Sequence, residues 1–194
     1  MSIKDTFKKE LESIHKDLIK VSDWMYENPE LGFEEYKTSE YLVKFINSFE
    51  DNVVFPTNEL ETAFEITFGK EGPLVVLCVE YDALPEIGHA CGHNVIATAS
   101  IGAGLALRSL ADDLGIRVKL LGTPAEEGGG GKIILLDRGA FEDAKCSMMI
   151  HPGPLNVANP TFTTIQQYKV EFFGKDAHAA GAPEKGRNAL DAQI

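Results

Sequence analysis

The sequence predicts an α/β layer fold with a largely parallel sheet. Segments with apolar residues at helical spacing alternate with short apolar runs of strand length, which is typical of this fold class. The run from Leu74 to Val79 is apolar throughout, as expected for a strand covered on both faces. In addition, three segments with metal-ligating side chains each follow a predicted strand, and ligands bind at strand ends in such sheets.

Two helices are predicted before the first strand. Apolar residues recur at helical spacing between Ile3 and Glu27, with Lys and Glu between them. The residue before a proline avoids helical backbone angles, so Asn28-Pro29 predicts that this helix ends near Glu27. A second helix is predicted over 34–48, with an apolar face of Tyr41, Leu42, Phe45 and Ile46.

The middle of the chain alternates between strands and helices. Strands are predicted over 62–68, 74–79, 118–121 and 147–150. The Ala- and Ile-rich segment 95–110 is interpreted as a buried helix in which two glycines permit close packing, and a short helix is predicted over 133–137.

From about residue 161 the pattern changes. Residues 161–173 alternate like a strand with one exposed face, and residues 188–194 resemble the beginning of a helix. We therefore expect a metal-binding catalytic domain over 1–160, and the first strand and helix start of a second domain over 161–194.

The composition excludes several classes of partner. The 194 residues are 44% hydrophobic and carry a formal net charge of −12, which is compatible with a soluble protein but repels nucleic acid and anionic lipid. The chain has neither an apolar run of membrane-spanning length nor a signal-peptide pattern, so we expect a cytoplasmic protein with no membrane partner. Three widely spaced cysteines fit a reducing compartment and argue against a disulfide scaffold.

The segment 88–94 places one thiol and two imidazoles within five residues. Cys and His hold zinc and neighbouring transition metals, and the spacing lets Cys91 and His93 point to one side of a tight loop. The alternatives are a buried thiol and a histidine that faces solvent at the start of a helix. His89 is interpreted as a structural histidine or as a hydrogen-bond partner of a ligand.

A second candidate is the acidic pair Glu126-Glu127, which precedes four glycines. Two adjacent carboxylates in an extended loop point in different directions, so one can bind a metal while the other acts as general base on the attacking water. A solvated acidic turn is the alternative. Gly131-Lys132 resembles the end of a phosphate loop, but the Walker pattern needs Gly at Glu126 and Ser or Thr at Ile133.

Three further residues are candidates for the same site. Asp82 lies just past a buried strand, where it either orients a metal-bound imidazole or forms a turn before Pro85. His151 follows another strand, and His178 is flanked by small residues, as a side chain that reaches into a cleft would be. An ordinary loop or turn histidine is the alternative for both.

Taken together, these motifs resemble the M20 family of metallopeptidases and amidohydrolases, and within it the aminoacylase-like branch. The matching segments, in the order of the family, are 81–85 (Tyr-Asp-Ala-Leu-Pro), 89–93 (His-Ala-Cys-Gly-His), 124–128, 150–152 and 174–180. The resemblance implies a three-layer α/β/α zinc-peptidase-like catalytic domain with a mostly parallel mixed sheet. It also implies that the chain includes the start of a small α+β lid and dimerisation domain.

The resemblance implies a role for most of the candidate residues. Four residues would bind the metal: Cys91, His93, Glu127 and His151. Glu126 would be the general acid and base. Asp82 lies within one of the matching segments, and its interpretation as a group that orients a metal-bound imidazole rests on its position after the strand. His178 would come from the lid, often across a dimer, and would stabilise the oxyanion of the tetrahedral intermediate.

The function implied is a metal-dependent hydrolase that cleaves amide bonds in N-acyl amino acids or dipeptides. The expected cofactor is a divalent metal, two ions per complete site, with zinc first and manganese, cobalt or nickel as alternatives. The expected partners are this small-molecule substrate and a second copy of the chain in a homodimer.

Two departures from the family pattern bear on these expectations. Many members of the branch have Asp where this chain has Asn94, and Asn favours an aminobenzoyl-glutamate hydrolase and dipeptidase-like subgroup. Family members are considerably longer and supply a further metal-ligand histidine after the lid, so this chain resembles an N-terminal portion. A second hypothesis is therefore a catalytically incomplete fragment or interaction module of the same fold.

Overall fold

A four-stranded mixed sheet forms the centre of the fold. The computed structural model describes residues 2–158, 160–161 and 168–194. The strands are β1 (Glu65–Phe68), β2 (Leu74–Val79), β3 (Arg117–Gly122) and β4 (Ala144–Met148), in the spatial order β1-β3-β2-β4. β2 pairs in parallel with both β3 and β4, and β1 pairs with β3 antiparallel. The predicted mixed and largely parallel sheet is therefore confirmed.

Five helices accompany these strands: α1 (Ile3–Glu27), α2 (Tyr36–Asn47), α3 (His93–Leu107), α4 (Ala111–Leu114) and α5 (Gly131–Asp137), counted over the described residues. α1 begins at a capping box in which Ser2 and Asp5 each accept a hydrogen bond from the other's backbone N–H. It ends at Glu27, as the Asn28-Pro29 pair predicts. Within the part of the chain that the structure describes, no helix is long and apolar enough to cross a membrane.

The helices cover both faces of the sheet. On one face, buried side chains of α1, α2 and α3 pack against strand residues that include Leu77 and Leu120. On the other face, Leu135 of α5 packs in a core with Val76 and Cys78. Alternate residues of β2 thus point into different cores, as a strand between two layers requires. The predicted three-layer α/β/α arrangement is confirmed.

α3 lies deep in the fold because two of its residues have no side chain. A Cβ at Gly102 would lie 2.7 Å from Cδ1 of Leu18 in α1, and a Cβ at Gly104 would lie 2.5 Å from Cδ2 of Leu120 in β3. Both distances are shorter than van der Waals contact, so the glycines permit the close packing that the sequence predicts. The depth matters for the site because α3 begins at His93.

Several predicted boundaries differ from the structure. α3 starts and ends earlier than the predicted 95–110, and α4 was not predicted. β1 begins only at Glu65, because backbone hydrogen bonds between Thr57 and Ala63 form a turn ahead of it. β4 starts and ends earlier than the predicted 147–150, because its exposed edge position lets polar residues pair with β2.

The chain divides into two units, Met1–Pro154 and Leu155–Ile194. In the second unit an antiparallel bridge joins Lys175 to Arg187, and two 3-10 turns cover Pro183–Lys185 and Leu190–Ala192. Of the strand predicted over 161–173, residues 162–167 lie outside the described residues, and 168–173 are not in a strand. The helix start predicted over 188–194 contains the second 3-10 turn.

Candidate metal centre

The predicted site segments lie at one edge of the sheet. Asp82 follows β2, Glu126 and Glu127 follow β3, and His151 follows β4. Because β3, β2 and β4 run parallel, their carboxyl ends lie at the same edge, where α/β sheets bind their ligands. Residues that are distant in the sequence therefore approach one another here.

His93 is the centre of the cluster and is 1% exposed. Its Nδ1 lies 2.9 Å from Oδ1 of Asp82, so in the neutral ring Nδ1 carries the proton and donates to the carboxylate. Within the described part of the chain its Nε2 has no hydrogen-bond partner, and it faces three carboxylates: Glu127 at 3.6 Å, and Glu80 and Glu126 each at 3.9 Å. The ring thus presents a nitrogen lone pair to a group of acids.

Burial and hydrogen bonding act in opposite directions on Asp82 and His93. Burial raises the pKa of Asp82, but hydrogen bonds from His93 and from the backbone N–H of Glu127 outweigh burial and lower that pKa. Burial lowers the pKa of His93, but Asp82 and the neighbouring carboxylates outweigh burial and raise it. The Glu127 N–H lies 2.9 Å from Oδ2 of Asp82. Asp82 is therefore a carboxylate that holds the imidazole with one oxygen and the glutamate loop with the other.

The polar atoms around His93 Nε2 fit a bound cation. Among the described residues, Oε1 of Glu80 and Nε2 of His93 are buried without a hydrogen-bond partner, and Oε2 of Glu80 has only an ion pair with Nζ of Lys132, although buried polar groups are normally hydrogen-bonded. Two sets of possible ligand atoms lie within 4.8 Å of one another: Glu80, Asp82 and His93, and His93, Glu126 and Glu127. Electron-rich atoms that converge in this way repel one another unless a cation lies between them. Imidazole nitrogen and carboxylate oxygen are ligands of zinc and related metals.

Glu126 and Glu127 both approach His93 but differ in exposure. The side chain of Glu126 is 45% exposed and that of Glu127 is 22% exposed. The expectation that adjacent carboxylates point apart assumed an extended loop, whereas the chain turns at Ala125, where φ is +56°. Burial and the charge of Glu80 raise the pKa of Glu126 against the opposing charge of Lys132.

Cys91 and His151 lie beside the cluster, and among the described residues they belong to neither set of converging ligand atoms. A hydrogen bond to Glu127 raises the pKa of the Cys91 thiol to about 11, with burial and nearby carboxylates adding to the shift. The ring of His151 is perpendicular to that of His93, and the ring centroids are 6.2 Å apart. Its Nδ1 lies 2.7 Å from the carbonyl oxygen of Pro152, and donation through Nδ1 leaves Nε2 free to bind a metal.

His178 belongs to the second unit and is exposed. Its Nδ1 accepts hydrogen bonds from the backbone N–H groups of Ala180 at 3.2 Å and Gly181 at 2.9 Å. In the neutral ring the proton then lies on Nε2, which makes Nε2 a donor. The roles expected of His178 and of the other candidate residues stay predictions.

Two residues of the site were not predicted: Glu80, which is fully buried, and Lys132, which is partly exposed. Nζ of Lys132 lies 3.0 Å from Oε2 of Glu80 and compensates its charge. Glu80 and Asp82 are two residues apart directly after β2, a spacing that places side chains on one side of an extended chain and could have revealed Glu80. Lys132 gave no such signal, because its partner comes from a different part of the chain.

The part of the chain that contains the candidate site residues matches a known protein family. Residues 76–191 match the model of Peptidase family M20/M25/M40. The chain is 39% identical over 180 residues to the Xaa-Arg dipeptidase of Mus musculus, covering 86% of this chain and 42% of that protein. It is 33% identical over 195 residues to one of the subunits of p-aminobenzoyl-glutamate hydrolase from Escherichia coli K12, covering 89% and 40%. The chain therefore spans about two fifths of the length of these curated relatives.

Solved structures share the fold. An aminobenzoyl-glutamate utilization protein from Klebsiella pneumoniae matches with a TM-score of 0.72 and 21% identity, covering 96% of this chain and 57% of that chain. A dinuclear metal-binding peptidase of the M20 family from Bacillus subtilis matches with a TM-score of 0.63 and 24% identity, covering 70% and 42%.

Proposed function

We propose that this chain, which belongs to Peptidase family M20/M25/M40, carries the metal centre of a hydrolase that cleaves amide bonds in dipeptides or N-acyl amino acids. The observation that carries the proposal is the environment of His93, whose Nδ1 is held by Asp82 while its Nε2 faces three carboxylates. The names of the relatives point to the substrate class, because they include a dipeptidase, an aminobenzoyl-glutamate hydrolase and an N-acetyl-L-cysteine deacetylase.

The residues proposed to hold the metal are Cys91, His93, Glu127 and His151. We propose two divalent ions per complete site, since one structural relative is described as dinuclear, with zinc as the first candidate and manganese, cobalt or nickel as alternatives. Bound there, a divalent metal would polarise the substrate carbonyl and make water acidic enough for a carboxylate to deprotonate.

The chain's own residues supply the remaining steps of the proposed mechanism. Glu126 has the most exposed carboxyl of those facing His93, so it is placed to take a proton from water and return it to the leaving amine. Asp82 keeps the proton of His93 on Nδ1 and so keeps Nε2 available as a ligand. His178 would donate its Nε2–H to the oxyanion, in keeping with the two hydrogen bonds that its Nδ1 accepts. We also propose that the protein forms a homodimer and that it acts in the cytoplasm.

Metal binding tests the site directly. Zinc bound per chain would be measured by equilibrium dialysis for the unmodified chain, for His93→Ala and for His15→Ala, a matched control on the exposed side of α1. We expect the unmodified chain and His15→Ala to bind zinc equally and His93→Ala to lose it. Equal binding by His93→Ala would contradict the site.

Hydrolysis tests the role of Glu126. In a protein that contains this chain and cleaves dipeptides or N-acyl amino acids, Glu126→Gln should lower turnover by roughly 100-fold or more, because general acid and base catalysis is lost. Zinc content should remain that of the unmodified protein. Retained turnover with retained zinc would remove Glu126 from the proposed role.

A second candidate function is a module of the same fold whose site is incomplete. It is favoured by His151, which is exposed and lies outside the converging ligand atoms of the described residues. The two candidates differ in zinc stoichiometry. Two tightly held ions per chain support the hydrolase, and weak or absent binding supports the incomplete module.

A further inference from the structure

Glu35 is a buried acid that the proposed mechanism does not use. It lies at the start of α2 and is 0% exposed. Its Oε1 accepts a hydrogen bond from the backbone N–H of Ala125 at 2.8 Å, across 90 residues of sequence, and its Oε2 accepts one from the hydroxyl of Thr62 at 3.0 Å. Ala125 is the residue directly before Glu126. Glu35 therefore touches the loop that carries both glutamates of the site.

The backbone of Ala125 is in an unusual conformation. Its φ of +56° lies in the left-handed region, which residues other than glycine rarely adopt. Both of its polar groups are bonded, the N–H to Glu35 and the carbonyl oxygen to the N–H of Gly131 at 3.1 Å. These two bonds hold a turn that the chain would not prefer on its own, and the turn brings Glu126 and Glu127 towards the same nitrogen.

Other residues of the connection between α1 and α2 also pack against the loop that contains Ala125. A Cβ at Gly32 would lie 2.9 Å from Cα of Ala125, and a Cβ at Gly129 would lie 2.2 Å from Cε2 of Phe33. The carbonyl oxygen of Glu30 accepts a hydrogen bond from the N–H of Ala83 at 2.8 Å, next to Asp82. The connection between α1 and α2 thus contacts the loop that carries Asp82 and the loop that carries Glu126 and Glu127.

We infer that Glu35 is a positioning residue, whose carboxyl fixes the Ala125 amide and thereby the turn that presents Glu126 and Glu127 to the metal. The role of the turn in metal binding rests on the proposed function, but the effect of Glu35 on the order of the turn can be measured without a metal. Replacement of Glu35 by an apolar residue leaves a buried N–H unpaired, whereas glutamine keeps one acceptor oxygen for Ala125 and an amide donor for the Thr62 hydroxyl.

The test compares Glu35→Leu with Glu35→Gln in the full chain, with Glu34→Leu as a control at the exposed neighbouring acid. Amide hydrogen exchange over residues 125–131 and zinc affinity are measured for each. In Glu35→Leu we expect exchange in this loop to be about tenfold faster and zinc affinity about tenfold weaker, with α1 and α3 unchanged. Glu35→Gln and Glu34→Leu should match the unmodified chain in both measurements.

Unchanged loop exchange in a folded Glu35→Leu would overturn the inference, as would equal loosening by Glu35→Gln. If Glu35→Leu does not fold, Glu35→Asp replaces it, because a carboxyl one methylene shorter stays polar but does not reach Ala125. Loop exchange as slow as in the unmodified chain would then overturn the inference. If the unmodified chain binds no zinc, the proposed function fails, and the exchange measurement alone decides the role of Glu35.

Discussion

Asp82→Asn tests whether the second carboxylate oxygen of Asp82 is needed by the site. Asp82 accepts two hydrogen bonds, from Nδ1 of His93 and from the N–H of Glu127, each at 2.9 Å. Asparagine has the same shape but only one acceptor oxygen, so one of the two donors loses its partner. If the new amide NH2 faces Glu127, two N–H groups oppose each other. If it faces His93, the ring must accept through Nδ1 and move its proton to Nε2, which removes the metal-binding lone pair.

The expected size follows from either orientation. A buried donor left without a partner costs about 1–3 kcal/mol, and loss of the group that orients a metal-bound histidine costs about 10–100-fold in affinity. The two ranges agree, because tenfold in affinity corresponds to about 1.4 kcal/mol. We therefore expect Asp82→Asn to bind zinc about 10–100-fold more weakly than the unmodified chain.

Zinc titration against a chelator of known affinity measures this difference, and circular dichroism shows whether the fold is kept. Asp23→Asn is the matched control, because Asp23 is an exposed aspartate on α1 that is distant in sequence from every residue of the candidate site. The control should bind zinc like the unmodified chain. If a folded Asp82→Asn binds zinc within about twofold of the unmodified chain, the orientation argument is wrong, since both orientations of the new amide predict a loss.

Three further predictions concern stability. Lys132→Met should lower the free energy of urea unfolding by about 3 kcal/mol because it leaves the buried Glu80 carboxylate unpaired, and adding Glu80→Gln should restore most of that loss. Gly104→Ala should lower the melting temperature, because a Cβ 2.5 Å from Leu120 costs about 1–3 kcal/mol of overpacking, more than the helix gains from alanine; a higher melting temperature would contradict this packing. Burial raises the pKa of Glu35 above its ordinary 4.5, so the folded state loses stability as pH rises from 4.5 through the raised value. Glu35→Gln should therefore gain stability relative to the unmodified chain with rising pH, and a pH-independent difference in urea unfolding would speak against it.

The elements that could be predicted are those whose burial produces a clear pattern of apolar residues in the sequence. α1 shows its apolar stripe over 25 residues and stops at Asn28-Pro29, so both ends are marked in the sequence. β2 lies between two cores, so every residue is apolar or nearly so, and the strand and the run coincide. β4 could not be placed correctly, because nearly all of its side chains are exposed and its pairing with β2 does not depend on apolar side chains.

The candidate site also contains residues that the local sequence predicts and residues that it does not. Cys91 and His93 were found because both ligand types occur in one short loop, and His93 then proves to be the central buried residue. Glu80 was missed although it adjoins Asp82, because an acid after a strand looks like the beginning of a solvated turn. Its charge is compensated by Lys132 of α5, which comes from the other side of the glycine loop. Partners of that kind are set by the packing of distant segments.

Two pairs of adjacent glutamates show that the local sequence does not determine which of two neighbouring acids is buried. Glu34-Glu35 stands at the start of a helix, where acids are favoured by the helix dipole, and Glu126-Glu127 stands in a turn. In each pair the fold treats the two acids differently: Glu34 is exposed while Glu35 is fully buried, and Glu126 is more exposed than Glu127. No local rule chooses between chemically identical neighbours. The choice is made by contact between the two segments themselves, since Glu35 is buried by bonding the residue that precedes the second pair.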